Sequence, residues 1–165
     1  MKEIPLTQGK VALVDDEDFE RVNQFKWCVH LSGVGCSYYA LRTTKKNRTM
    51  NTIRMHNLLM NPPVGLFVDH KNGDGLDNRR ENLRICSVSQ NAMNQKRQIR
   101  RFGEYKGVRE MIKTYKNKTY SYIVAYIRVN GKQIFLGNFS NKVEAANAYD
   151  DAARIHFGEF ARTNF

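Results

Sequence analysis

The chain is expected to be an α+β protein built in two parts, and three observations predict it. Short β-type runs separated by glycine and asparagine turns occupy the first 65 residues, with brief helical patterns between them. A strand–loop–strand–helix unit is written into residues 66–91, where turn residues are densest. The last sixty residues carry a cleanly alternating run at Tyr120–Val129 and then an alanine-rich helical period, the pattern of a small antiparallel sheet packed on one helix.

Taken in order, Ile4–Thr7 and Lys10–Val14 read as strands around a Gln8-Gly9 turn. Asp15-Asp16-Glu17-Asp18 is an acidic helix start, favourable at the positive end of the helix dipole, and Phe19, Val22 and Phe25 recur at helical spacing. Lys26–Leu31 and Tyr38–Thr43 read as two more strands, and Lys45–Arg48 as a basic hairpin tip. Ile53–Met60 reads as a strand running into a helix, which Pro62-Pro63 ends. His30 and His56 are expected to serve in packing or hydrogen bonding, with a place near a phosphate kept open for His56.

Leu66-Phe67-Val68 opens the next unit as a strand ending in Asp69-His70. Asn-Gly, Asp-Gly and Asp-Asn steps make the loop, and Leu83–Cys86 returns as a second strand. Ser87 or Ser89 is set to cap a helix beginning near Gln90, with Asn91 in its first turn. Such a unit can bring Asp69, His70 and Asn91 together across some twenty residues of sequence. Asp74, Asp77 and Asn78 fit turn formers and caps better than ligands. Arg79, Arg80 and Arg84 are read either as a solvated face or as phosphate contacts. A calcium loop is excluded, because Leu76 stands where an oxygen ligand is needed and Asp77 where the glycine is.

Composition narrows the partner. Lys+Arg 27 against Asp+Glu 16 gives a formal charge of +11, which calls for a polyanion. No stretch is long and apolar enough for a spanning helix or a signal peptide. Three cysteines, at 28, 36 and 86, are too few and too scattered for a disulfide frame or a structural zinc site. A cytoplasmic setting without membrane or small-molecule cofactor is the expectation.

Residues 92–104 are a basic junction, and Arg97, Arg100 and Arg101 are expected to follow a phosphate backbone. Beyond it, Tyr120–Val129 alternates, with Ser121, Ile123, Ala125, Ile127 and Val129 on one face and Tyr120, Tyr122, Val124, Tyr126 and Arg128 on the other. Asn130-Gly131 is a two-residue hairpin turn into Lys132–Gly137. A helix follows from Ser140 or Asn141, with Asn141 and Glu144 as a capping box, and Gly158 stops it. The sheet's aliphatic face should cover the helix alanines. Its tyrosine- and arginine-rich face stays open, a surface suited to a DNA groove.

Two resemblances sharpen this reading. Residues 68–84 follow V-D-H-x-N-G-D-x-x-D-N-x-x-x-N-L-R, and the stretch resembles the HNH nucleases of ββα-metal fold, in the subtype found in many phage and intron homing endonucleases. The three letters fall on His70, Asn82 and Asn91. The resemblance implies that His70 is the general base and that Asp69 and Asn91 hold one divalent metal ion, Mg2+ or Mn2+. It also implies that Asn82 braces the loop by bonds to its backbone. Those residue types suit the chemistry: an imidazole titrates near working pH, and a carboxylate and an amide oxygen are hard donors that leave room for phosphate and water. The second resemblance rests on Tyr105–Arg109, Tyr126–Arg128, Leu136-Gly137-x-Phe139, Glu144–Ala153, Phe157-Gly158 and Asn164-Phe165. They are similar to the Apetala/ethylene-response-factor DNA-binding domain, which reads DNA with its sheet. The resemblance implies contacts from Lys106, Gly107, Arg109, Tyr122, Tyr126, Arg128, Gln133 and Phe135. Residues 110–119 depart from the plant pattern and carry extra lysines.

The expected organisation is therefore a nuclease part over 1–96 with its motif at 66–97, a basic linker over 97–104 and a DNA-binding part over 105–165. The expected activity is metal-dependent hydrolysis of phosphodiester bonds in double-stranded DNA. With one site per chain, a monomer should nick one strand. The rival reading is a non-catalytic, sequence-specific DNA-binding regulator built on a vestigial nuclease scaffold.

Overall fold

A computed structural model describes residues 1–32, 37–46, 49–95 and 104–165 of an α+β chain that divides into two compact units, Met1–Asn94 and Gln95–Phe165.

The first unit begins with a hairpin of β1 (Lys2–Pro5) and β2 (Val11–Val14), paired from Lys2↔Val14 to Pro5↔Val11. Helix α1 (Asp16–Asn23) puts Asp16, Glu17 and Asp18 in its first turn and Arg21 in its last, the order the helix dipole favours. A three-stranded meander of β3 (Cys28–Leu31), β4 (Tyr38–Lys46) and β5 (Thr49–Arg54) follows. Strand β4 runs three residues past the expected Thr43, because its pairing with β5 continues to Lys46↔Thr49. Helix α2 (Met55–Met60) ends at Asn61 in the left-handed conformation (φ 43°), just before Pro62 and Pro63. The core gathers Ile4, Ala12, Val14, Val22, Trp27, Ala40, Met55, Leu59, Val68 and Leu83. Full burial of each large member contributes roughly 1.5–3 kcal/mol. Trp27 meets its polar requirement inside that core by donating Nε1–H to the Val22 carbonyl at 2.9 Å.

On this base sits a second hairpin, β6 (Phe67–His70) with β7 (Leu83–Cys86), followed by α3 (Val88–Met93). The helix starts at Val88, not near Gln90. Ser87 is the N-cap, its hydroxyl taking the Gln90 amide at 3.2 Å while the Gln90 side chain takes the Ser87 amide at 2.8 Å. The loop between β6 and β7 is tied down from outside as well. Leu13 of β2 exchanges backbone bonds with Leu76 and Asn78, and Gly75 lies so close to β4 that a Cβ there would stand 2.4 Å from the Tyr38 carbonyl. That close approach permits only glycine and brings Tyr39 over the loop.

The second unit is a sheet in the order β10-β9-β8 under one helix: β8 (Val108–Tyr115), β9 (Lys118–Val129), β10 (Lys132–Phe139) and α4 (Lys142–Phe157). Asn130 and Gly131 both take positive φ (50° and 78°), as a two-residue turn requires. Strand β10 extends to Phe139 through a register shift between Phe135 and Gly137. Only half of the expected capping box forms on α4: Asn141 accepts the Glu144 amide at 2.9 Å, but Glu144 accepts the Ser140 hydroxyl at 2.7 Å. Ala145, Ala146, Ala152 and Ala153 let the helix approach Ala125 and Ile127 closely. Buried Asp150 fastens the chain end by accepting from the Asn164 and Phe165 amides and the Asn164 side chain.

Candidate active site

Asp69 and His70 end strand β6, and successive residues on a strand leave by opposite faces. Their surroundings differ accordingly. Asp69, 6% exposed, faces its cross-strand partner Arg84. The Arg84 Nε and Nη2 donate to Asp69 Oδ2 at 2.9 and 2.7 Å. Asn94, just past α3, donates its side-chain NH2 to both Asp69 oxygens at 3.0 Å and to the His70 carbonyl at 2.8 Å. Asn94 thus links the strand end to the helix. It is the residue on the carboxylate; Asn91 is not.

Asn91 is half-buried one turn earlier. Residues three apart on a helix share a face, so Asn91 leaves α3 on the side that carries Asn94. Among the described residues its side chain has no hydrogen-bond partner. The donors Asp69 and Asn91 are hard oxygens, the type Mg2+ and Mn2+ take, and the idle Asn91 amide fits that use. Among the described residues, no three His, Cys, Asp or Glu side chains cluster. The positive charge now beside Asp69 is Arg84.

His70 lies in a different setting, 5% exposed. Its ring meets His56 edge to face at 4.9 Å between centroids and Tyr39 at 5.8 Å. Its Nε2 lies 3.5 Å from Asn78 Oδ1, and the Asn78 NH2 group donates to the Leu76 carbonyl at 3.1 Å. That second bond turns the amide so that its oxygen faces the ring. A proton on Nε2 suits that oxygen and leaves Nδ1 the lone pair a base needs. Burial pushes the His70 imidazole below its ordinary value, opposed by Asn78 and by the Asp69, Asp74 and Asp77 carboxylates. His56 is pushed down to about 3, first by burial and then by His70 and Arg54, and its Nδ1 has no partner. Both rings are therefore neutral at neutral pH.

Asn82 does its work on backbone. Its NH2 donates to the Asp77 carbonyl at 2.7 Å and its Oδ1 accepts the Asn72 amide at 3.0 Å, so it crosses the loop from end to end. All three arginines of the stretch are ion-paired within the unit: Arg84 is buried, whereas the Arg79 and Arg80 side chains stay 30% and 49% exposed. Arg79 pairs with Asp77 and Glu81, Arg80 with Asp18, and Arg84 with Asp69. Arg79 also holds the Asp77 carboxyl below the usual carboxylate range. Asp77 and Asn78 are 3% and 1% exposed, so these turn formers are also interior organisers.

In the second unit the register sorts the expected DNA contacts. Arg109 pairs with Val124, Tyr126 with Phe135, and Arg128 with Gln133. With Tyr122 they share the sheet face away from α4. Tyr126 and Phe135 rings stand 5.4 Å apart, and Tyr122, Val124, Tyr126, Phe135, Lys113 and Asn138 line an open groove on that face. Lys106 holds the chain ends together, its amide donating to Asn164 Oδ1 at 2.6 Å and its ammonium to the Gln95 carbonyl at 3.2 Å. Gly107 has a packing reason to be glycine: φ is +80°, and a Cβ would lie 2.0 Å from Tyr149 Cδ2. Arg97, Arg100 and Arg101 lie outside the described residues.

Comparison with known proteins bears on the same stretch. Residues 60–93 match the family model of the HNH endonucleases. The chain is also 27% identical over 157 residues, 95% of its length and 76% of the relative's, to the "Uncharacterized HNH endonuclease L560" of Acanthamoeba polyphaga mimivirus. Over 63 residues, 37% of the chain, it is 43% identical to the dehydration-responsive element-binding protein 2A of indica rice, covering 20% of that protein; the japonica protein matches equally. No solved structure matches significantly. The HNH match spans β6, the loop after it, β7 and α3, the stretch that holds Asp69, His70, Asn82 and Asn91. No helix among the described residues is long and apolar enough to cross a membrane.

Proposed function

We propose that the protein is a metal-dependent DNA endonuclease of the HNH class that nicks duplex DNA, docking it with the open sheet face of its second unit. The observation that carries this reading is the enclosed His70, its Nε2 facing Asn78 Oδ1 and its imidazole held below the ordinary value by burial, at the end of the strand that also carries Asp69. His70 Nδ1 takes the proton of the attacking water. The rings of His56 and Tyr39 keep that imidazole oriented. Asn82 holds the loop closed behind it. A divalent ion, held when bound by Asp69 and Asn91, supplies positive charge for the leaving oxygen. Arg109, Tyr122, Tyr126, Arg128, Gln133 and Phe135 meet the duplex, the arginines reaching base edges or phosphates and the rings packing on sugars.

A plasmid-nicking assay with and without Mg2+ tests the reading. Wild-type protein should convert supercoiled to open-circular DNA only with the ion, and His70→Ala should lose cleavage while retaining DNA binding. Undiminished ion-dependent cleavage by that variant would overturn the assignment. One observation favours the rival reading of a DNA-binding regulator on a retired nuclease scaffold: Asp69 is already neutralised by a buried arginine. Tight duplex binding with no nicking in Mg2+ or Mn2+ is its signature.

A further inference from the structure

Strand β9 is longer than its partner on one side. Its pairing with β10 ends at Phe139↔Ile123, whereas its pairing with β8 runs on from Met111↔Tyr122 to Tyr115↔Lys118. Those outer pairs form a two-stranded ribbon beyond the third strand and beyond the reach of α4. Every residue from 109 to 122 is exposed, and Ile112, Tyr115 and Tyr120 are 70%, 60% and 53% accessible. No residue of the ribbon belongs to the unit's core clusters.

A bare two-stranded ribbon is marginal in water, and one with exposed aromatic and aliphatic groups on both faces is a liability without a partner. The charge says which partner. The stretch 112–121 carries Lys113, Lys116 and Lys118 and no acid. At its tip, Lys116 and Asn117 both take positive φ (46° and 61°), so a lysine occupies a turn position where asparagine or glycine is preferred. The alternation is continuous with the open sheet face: Arg109, Met111, Lys113 and Tyr115 share that face with Val124, Tyr122, Tyr120 and Lys118.

We infer that this ribbon is an arm that lies along duplex DNA beyond the footprint of the three-stranded sheet, with Lys113, Lys116 and Lys118 on phosphates and Tyr120 against the sugars. This rests on the reading that the sheet face docks DNA. The outermost pair stands four residues beyond Met111↔Tyr122. At about 3.4 Å per residue the arm adds roughly 13 Å, or about four base steps of duplex. Its contacts are to the backbone, so it supplies affinity and register without base choice.

The test compares the full chain, in EDTA, with a Lys113→Ala/Lys116→Ala/Lys118→Ala variant and with a second variant in which Asn-Gly replaces residues 112–121. Binding to a 30-base-pair duplex of random sequence is followed by fluorescence anisotropy across KCl concentrations. Occluded site size is measured on long duplex, and folding by circular dichroism. The triple variant should lower the log–log salt slope by about 2–3, near 0.9 per lost phosphate contact. The shortened variant should do the same and reduce the site size by about four base pairs. Unchanged slope and site size in folded variants would overturn the arm while leaving the sheet reading intact. Failure of the full chain itself to bind duplex overturns both.

Discussion

Replacing Arg84 with Met probes the centre of the candidate site without touching a proposed ligand. The Asp69 and Arg84 side chains are 7% and 9% exposed, and two guanidinium bonds fall on one carboxylate oxygen. Methionine fills most of the volume, so the loss is chiefly electrostatic. It leaves a buried carboxylate with the Asn94 amide as its named remaining donor. Removing one partner of a buried ion pair costs about 3–5 kcal/mol, a large share of the roughly 5–15 kcal/mol that holds a domain together. A divalent ion can return the missing charge. At a hundred times its dissociation constant it stabilises the folded state by about 2.7 kcal/mol. In the wild-type chain the same ion must share Asp69 with Arg84 or displace it, so it should stabilise the variant more. Trp27, the sole tryptophan, lies in the core of the first unit and reports on its unfolding. Urea unfolding followed by Trp27 fluorescence, in EDTA and in Mg2+ or Mn2+, should therefore show a deep loss for Arg84→Met that metal partly reverses. A loss under about 1 kcal/mol in EDTA, or equal metal effects on both proteins, would refute the reasoning.

The two asparagines of α3 should separate in the same assays. Asn94→Ala strips donors from Asp69 and the His70 carbonyl and should cost about 1–3 kcal/mol, whereas Asn91→Ala should be nearly silent in EDTA yet weaken Mn2+ binding about 10-fold or more by electron paramagnetic resonance titration. His56 is held down to about 3 in the folded chain, against an ordinary value near 6.5. The unfolded chain then binds the extra proton, so His56 contributes stability that is present above about pH 6.5 and lost as pH falls toward 3, by up to about 1.4 kcal/mol per pH unit. His56→Phe should flatten that part of the Trp27-monitored pH profile; a parallel profile would show that His56 is not its source. Gly107→Ala forces a Cβ into the Tyr149 ring at positive φ and should destabilise the second unit by about 3 kcal/mol, read by amide hydrogen exchange there, with Trp27 unfolding unchanged.

Much of this architecture is local and could be read from the residues. Asn130-Gly131, the Pro62-Pro63 stop and the alternation of β9 are decided by neighbours within a few positions; the Ser87 cap is as local, yet Ser89 stood as its rival and the helix starts two residues before the expected Gln90. The polar spacing of 68–84 announced the loop, and Asn82 spans it. Even the Arg84–Asp69 pair had a signal, since a hairpin that pairs Phe67 with Cys86 sets those two directly opposite. Strand lengths were harder, because Lys46 and Phe139 stay in their strands only through partners supplied by another segment.

The sequence on its own determined much of which segments are strands and helices and which stretch carries the polar loop, and its charge set the expectation of a polyanionic partner, because hydrophobic period, turn chemistry and charge are properties of short windows. Only the tertiary structure decided what each site residue touches. Tyr39 and His56 reach His70 because α2 packs against β6 and the loop at Gly75 lies on β4, Asn78 turns its amide to the ring because Leu76 holds the other end, and Asn94 takes the carboxylate because of where α3 stops. A helix face shared by two asparagines three apart leaves that last choice open until the helix has docked, since a shift of one turn exchanges them.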